Sequence, residues 1–370
     1  MSGADDPYLL PNGTLRNKLG ITDQATLSAV EADLVAAREQ ALQGRLPGPP
    51  FTFDTLRAIH RELFQDVYAW AGEARTTPLA KREYDDPASP VQAFARPEAI
   101  APRAEAVFRR LAEQDFLAGT SRAAFAAGAT EAFVELNSVH WAREGNGRSQ
   151  RLLLTAVARN AGHALAFDVV TRERMVAVSV AAHKGDSAGV RRMFDEILDP
   201  RQVEAMRKAL GFLQASGAVP WNDLYIATTR AGQDYEGTLV GRAGPDFMLR
   251  TVAAARAGEP RILIGDAADL PAAAASGDRV RLHASRFTPP ADQPQPKRPR
   301  SASAALKSAL DAMRPPGPAA PMPWNPPPAP LAERIRSFEE RLKAEKAPAP
   351  KAEEEPGPKP DETPRPGPKP

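Results

Sequence analysis

The segment HWAREGNGRSQR, from His140 to Arg151, holds an imidazole, a carboxylate, a Gly-Asn-Gly turn and several guanidinium groups. Gly145-Asn146-Gly147 can turn backbone N–H groups toward one point, because glycine tolerates the positive φ angles of an anion-binding nest. A helix over 147–162 would aim its positive N-terminal end at that same point. Arg148 and Arg151, three apart, share one face of its first turn, from which both could grip a polyphosphate. Glu144 is a hard oxygen ligand suited to Mg²⁺ that keeps most of its waters. His140, titrating near neutrality, could take a proton from an attacking hydroxyl. Taken singly, these residues read as a helix cap, a turn and solvated arginines. Their convergence in one loop reads as a phosphoryl- or nucleotidyl-transfer site.

The elements around the loop have to position it. Leu27, Val30, Leu34 and Val35 at helical spacing predict a helix over about 22–43, stopped by Leu46-Pro-Gly-Pro-Pro50. A second helical pattern runs from Phe51 to Trp70 through Leu56, Ile59, Leu63 and Phe64. Further helices are expected at about 97–117, 121–138, 147–162, 170–184, 186–198 and 200–215. Pro78, Pro87 and Pro90 break the series and predict a hairpin or long loop over 76–94. Residues 1–215 thus read as one mainly helical domain. After Trp221 the pattern changes to LYIATTR, YEGTLVGR, PDFMLRT, PRILIGD and DRVRLHASRF, short β-branched and aromatic runs between Gly, Asp and Pro. They predict a small five-stranded β-barrel over 221–287, OB-like, serving as a scaffold or docking platform. The stretch 288–370 holds more than half of the 38 prolines and predicts a disordered tail. Leu331, Ile335, Phe338 and Leu342 form one stripe there, a short helix over 331–346.

Composition narrows the function classes. The chain has 370 residues, 42% of them apolar and 25% charged, as globular domains do. It has no cysteine, which excludes disulfides, thiolate zinc sites and a cysteine nucleophile. No run reaches a membrane span, and MSGADDPYLLPNG does not read as a secretory signal, so a cytoplasmic protein without a membrane partner is expected. A formal charge of +2 gives no reason to expect direct nucleic-acid binding.

HWAREGNGRSQR resembles the signature of Fic-domain proteins, His-x-Phe-x-(Asp/Glu)-Gly-Asn-Gly-Arg-x-x-Arg. FDTLRAIHRELFQDVYAWAGEART (Phe53 to Thr76) is similar to the family's helix leading into a β-hairpin flap, and LRNKLGI (Leu15 to Ile21) to its N-terminal entry. The likeness covers roughly residues 8–200. It implies a protein adenylyltransferase that moves AMP from ATP to a Tyr, Ser or Thr hydroxyl of a target protein. By that likeness His140 is the base and Glu144 the Mg²⁺ ligand. Gly145, Asn146 and Gly147 cradle the α-phosphate, and Arg148 and Arg151 hold the β- and γ-phosphates. Asn137 matches the family pattern more weakly. Lys81 and Phe94 resemble the ends of the flap, the family's platform for the target strand, with an enlarged tip between them.

Trp141 and Ala142 depart from the family, which has Pro and Phe there. The Phe is a buried anchor, so Ala142 implies a void unless Trp141 or a neighbour fills it. No Ser/Thr-x-x-x-Glu-Gly/Asn element occurs in the chain. Its absence implies restraint in trans, by a small antitoxin whose glutamate pairs with Arg151. A barrel behind a Fic domain is similar to the arrangement in conjugation-related toxins and type IV secretion effectors. Toxin members of the family modify DNA gyrase and topoisomerase IV. Two alternatives stand beside this reading. One is transfer of a different group, although Gly147, replaced by Lys in the phosphate-transferring branch, is intact. The other is a non-catalytic interaction module, which Ala142 favours.

Overall fold

The computed structural model describes residues 6–83, 89–216, 221–251 and 261–287. Helix α1 (Gln24–Gln43) starts at Asp23, whose carboxylate accepts from the Thr26 amide at 2.8 Å and so satisfies one of the N–H groups a helix start leaves open. It buries Leu27, Val30, Leu34 and Val35, and on the same stripe the charged Glu31. Helix α2 (Phe53–Phe64) opens with a reciprocal cap between Thr52 and Thr55 and buries His60 among Leu56, Ile59 and Leu63. It ends at Phe64 instead of running to Trp70. The chain turns there, and Tyr68 stacks on Trp70 with ring centroids 4.2 Å apart.

The expected hairpin is present. Strands β1 (Ala80–Arg82) and β2 (Val91–Ala93) pair antiparallel, with Lys81 opposite Gln92. The tip residues 84–88 lie outside the described residues. Helices α3 (Pro97–Glu113), α4 (Arg122–Val139) and α5 (Asn146–Asn160) follow. Phe125, Ala126, Ala129, Phe133 and Leu136 are all buried on α4, so this helix is the axis of the core, against α3, α5, α6 and α7. The helical series closes with α6 (Arg172–His183), α7 (Ala188–Ile197) and α8 (Pro200–Ser216).

The five strands expected after Trp221 are β3 (Ile226–Thr228), β4 (Asp234–Ala243), β5 (Asp246–Thr251), β6 (Ile262–Asp266) and β7 (Arg279–His283). They form a sheet in the order β3-β6-β5-β4-β7, with β3 parallel to β6 and the other pairs antiparallel. The expectation of a closed barrel is corrected here, since no ladder among the described residues joins β3 to β7. The reason is visible at β3, whose outer edge is satisfied by side chains instead of a strand. Arg174 donates to the Ile226 carbonyl at 3.3 Å and Arg192 to the Thr228 carbonyl at 2.6 Å, while Glu196 accepts from the Thr228 amide at 3.4 Å. The tail 288–370, with the helix expected at 331–346, lies outside the described residues.

Candidate active site

Helix α4 ends on His140, which adopts the left-handed conformation (φ 45°, ψ 60°) and donates its amide to the Leu136 carbonyl at 3.0 Å. That turn sends the chain into the loop and brings the imidazole against β2's exit. The ring stacks on Phe94 with centroids 4.0 Å apart and planes 17° apart. Both ring nitrogens are buried and neither has a hydrogen-bond partner of good geometry. Burial, with the nearby Lys81 ammonium second, pushes the His140 pKa down to about 3, so the ring is neutral at physiological pH.

The underside of the loop is sealed. His60, on α2 and fully buried, accepts the Gly72 amide on Nδ1 at 3.0 Å and contacts the Glu144 carbonyl through Nε2 at 2.8 Å. With Nδ1 accepting, Nε2 carries the proton and donates to that carbonyl. Burial pushes the pKa of this ring down to about 4. Trp141 is 1% exposed and lies edge-on to Phe53 and to His60 at centroid distances of 5.4 and 5.0 Å. Its indole occupies the core beneath the loop, beside the fully buried Ala142. The Asn146 side chain clamps both polar groups of Ala142, accepting from its amide at 2.9 Å and donating to its carbonyl at 2.8 Å. Gly145 caps α5 at φ +84°. A Cβ there would lie 2.3 Å from Phe64 and 2.9 Å from His60, so glycine is required both by conformation and by space.

The charged residues form a chain across the loop's open side. Lys81 on the flap lies 3.3 Å from Glu144 Oε2, and Glu144 Oε1 accepts from the Gly145 amide at 3.0 Å and lies 3.7 Å from Arg148. Burial alone would raise the Glu144 pKa, but Lys81, the Gly145 amide and Arg148 hold it down to about 2. Arg148 sits over the Phe64 ring at 4.7 Å and donates to Glu31, whose other oxygen accepts from the Tyr68 hydroxyl. Arg151 stands apart from this chain. Its Nη1 would lie 3.4 Å from a Cβ on Gly147, and it lines a cavity of about 450 Å³ with Glu39, Gln43, Thr155 and Arg159. Asn137 points away from the loop, donating to the Ser179 carbonyl on α6 at 3.1 Å.

The structure therefore gathers His140, Glu144, Gly145, Asn146, Gly147 and Arg148 around one helix start and leaves Arg151 at the mouth of the next cavity. The first-turn amides of α5 have no partners within the helix, as at any helix N-terminus. Among the described residues no group of three or more acidic or histidine ligands could hold a metal. A single carboxylate already facing a cation, Lys81, does suit Mg²⁺ shared with phosphate oxygens and water. Sequence reasoning missed His60 and Glu31. The signal for both was a polar residue on an otherwise apolar helical stripe.

A central helix ending on a left-handed histidine, an open helix start and a hairpin beside both define a helical fold with one loop-built site. The pattern of the Fic/DOC family matches residues 50–158. The chain is 37% identical over 199 residues to a probable protein adenylyltransferase, y4lH, of Sinorhizobium fredii, covering 52% of this chain and 97% of that protein. It is 34% identical over 258 residues to a protein adenylyltransferase of Bartonella henselae, covering 65% of this chain but 46% of that relative, so it spans less than half of the Bartonella protein's length. Among solved structures, the type IV secretion system effector protein BepA superposes with a TM-score of 0.67 at 30% identity, over 75% of this chain and 96% of that one. The chain belongs to the Fic/DOC family.

Proposed function

We propose that this protein transfers AMP from ATP to a hydroxyl side chain of a target protein. The observation that carries the reading is the His140 imidazole, neutral, with no well-formed hydrogen bond on either nitrogen, beside the Gly145-Asn146-Gly147 turn. Relatives named protein adenylyltransferases support it.

In this reading a target strand adds to the flap, where β1 and β2 are three residues each and half-exposed to exposed. Its hydroxyl oxygen attacks the α-phosphorus of ATP, the bond to the bridging oxygen breaks, and pyrophosphate leaves. His140 takes the hydroxyl proton as the new P–O bond forms. A pKa of about 3 makes the free imidazole a weak base, so proton transfer belongs late in bond formation, when the hydroxyl has become acidic. The first-turn amides of α5 face the charge on the α-phosphate. Arg148, fixed by Glu31 and Phe64, and Arg151 take the β- and γ-phosphates. Glu144 would hold Mg²⁺, which when bound neutralises phosphate charge.

Among the described residues the Arg151 guanidinium forms no hydrogen bond, and burial lowers its pKa against the support of Glu39 in the same cavity, so there is room for a second acid. The cavity it lines is our candidate seat for an antitoxin glutamate. DNA gyrase and topoisomerase IV are the first targets to test. The burial of Trp141 against Phe53 and His60 supports an intact loop over the non-catalytic module that Ala142 would favour. The deciding experiment is incubation with Mg²⁺ and α-labelled ATP in lysate. Label on a protein band that disappears with His140→Ala supports transfer. No label from ATP, with label from UTP, would redirect the reading to another nucleotide.

A further inference from the structure

Arg75, in the segment between α2 and the flap, is 2% exposed and has no carboxylate partner among the described residues. Its guanidinium instead donates to backbone carbonyls of three separate segments. Nε donates to His140 at 2.9 Å, Nη1 to Thr77 at 2.8 Å, and Nη2 to Ala95 and, at 3.4 Å, to Val139. Its own amide donates to the Trp141 carbonyl at 2.9 Å. Thr77 lies on the chain entering the flap. Ala95 lies on the chain leaving it and follows Phe94, whose ring is the surface on which His140 stacks. Val139 and His140 close α4.

We propose that Arg75 is a positioning residue that keeps the His140 imidazole in register with the Phe94 ring, so that base and flap move as one body. A planar fork with five N–H donors can serve carbonyls lying in several directions at once, which an ammonium on a flexible stem cannot. The backbone of His140 is held in an uncommon left-handed conformation, and Arg75 bonds its carbonyl. The flap cannot swing at either base without breaking a bond to this one side chain. A target strand seated on the flap would therefore have its hydroxyl placed relative to His140 by the same set of bonds. The bland alternative is a staple that stabilises the fold and leaves the imidazole's placement to other contacts.

Arg75→Lys separates the two. In proton–carbon spectra of histidine-labelled protein, the His140 ring signals are assigned by their loss in His140→Ala. Stacking on Phe94 shifts them upfield. Positioning by Arg75 predicts that Arg75→Lys moves them back toward the free-histidine position. The signal of His163, whose ring is bonded to the Thr120 carbonyl in the core, should stay in place and report an intact fold. With turnover, kcat should fall about 10²-fold while KM for ATP is unchanged, because Arg75 touches none of the α5 amides. A folded Arg75→Lys protein with the original His140 signals and full kcat overturns the proposal. If that variant does not fold, Arg75→Gln, which keeps a planar amide but has too few donors for the four carbonyls, tests the same register with Phe94 present. Loss of kcat with the downfield move supports it, and full kcat overturns it. The kcat arm rests on the adenylyl-transfer reading and the spectral arm does not. An unmodified protein without transferase activity would sink that reading and leave the register to be decided by the spectrum.

Discussion

The underside of the 140–148 loop and its open side are built on opposite rules. Underneath, His60 has both ring nitrogens bonded, Asn146 answers both polar groups of Ala142, and Gly145 fits a gap with no room for a methyl group. Above, among the described residues, neither His140 nitrogen has a hydrogen-bond partner of good geometry, the Arg151 guanidinium has only the nearby charge of Glu39, and Glu144 is shared among Lys81, the Gly145 amide and Arg148. Buried polar groups are nearly always paired, so a cluster of unpaired ones marks where a ligand completes the set. Two imidazoles, both kept neutral by burial, thus do different work. One fixes the loop and the other faces what arrives. The buried indole N–H of Trp141 has no acceptor, and nothing in the fold explains it.

The contrast can be broken by experiment. His140→Ala should cost about 10²–10⁴-fold in AMP transfer, measured with labelled ATP, while the melting temperature hardly moves, since no hydrogen bond of the ring is lost. His60→Leu should do the reverse. It leaves the Gly72 amide and the Glu144 carbonyl without partners, at about 1–3 kcal/mol apiece, read by urea denaturation.

Acid should reveal both rings together. Their folded pKa values, about 4 and about 3, lie below the ordinary 6.5. As pH falls through 6.5, the unfolded chain takes up protons that the folded chain refuses. Stability then drops by about 1.4 kcal/mol per pH unit for each ring, down to their folded values. Glu144 contributes in the same direction but over a lower window, its stabilisation intact above 4.5 and lost as pH falls toward 2. Denaturant midpoints measured across the range from neutrality to mild acid would show the histidine slope alone.

Smaller effects sharpen the picture. Ala142→Phe, which restores the family's residue, should overpack the space beside Trp141 and cost about 1–3 kcal/mol of stability, relieved when Trp141 is also reduced. Lys81→Ala removes a half-exposed ion pair worth less than about 1 kcal/mol, so its effect on melting should be the smallest of the set.

The sequence made the signature loop legible because its chemistry is local, with His140 to Arg151 contiguous and their order fixing which groups can converge. The helices were equally readable, from the stripe Leu27-Val30-Leu34 on α1 to the run that became α5. What stayed hidden depends on distant packing. Glu31 and Arg148 meet only because α1 and α5 both pack against α2, and Arg75 reaches four carbonyls through turns that no periodicity encodes. The packing at Ala142 shows the same limit, since the sequence left open a void or a filling by Trp141, and the indole is buried against Phe53 and His60. The strands were found but not their closure, because what ends the sheet at β3 is a pair of arginines and a glutamate from another part of the chain.

That last feature has a practical result for anyone dissecting the molecule. Glu196 is almost wholly buried and accepts from Arg174 at 2.7 Å and from Arg192 at 2.8 Å, with Thr228 completing the cluster. Cutting the chain after α8 would strip away the peptide groups that these three side chains address and leave an acid and two bases with too few partners in a freshly wetted seam. The helical half should therefore aggregate or melt early when expressed by itself, and the shortest well-behaved fragment should extend through His283.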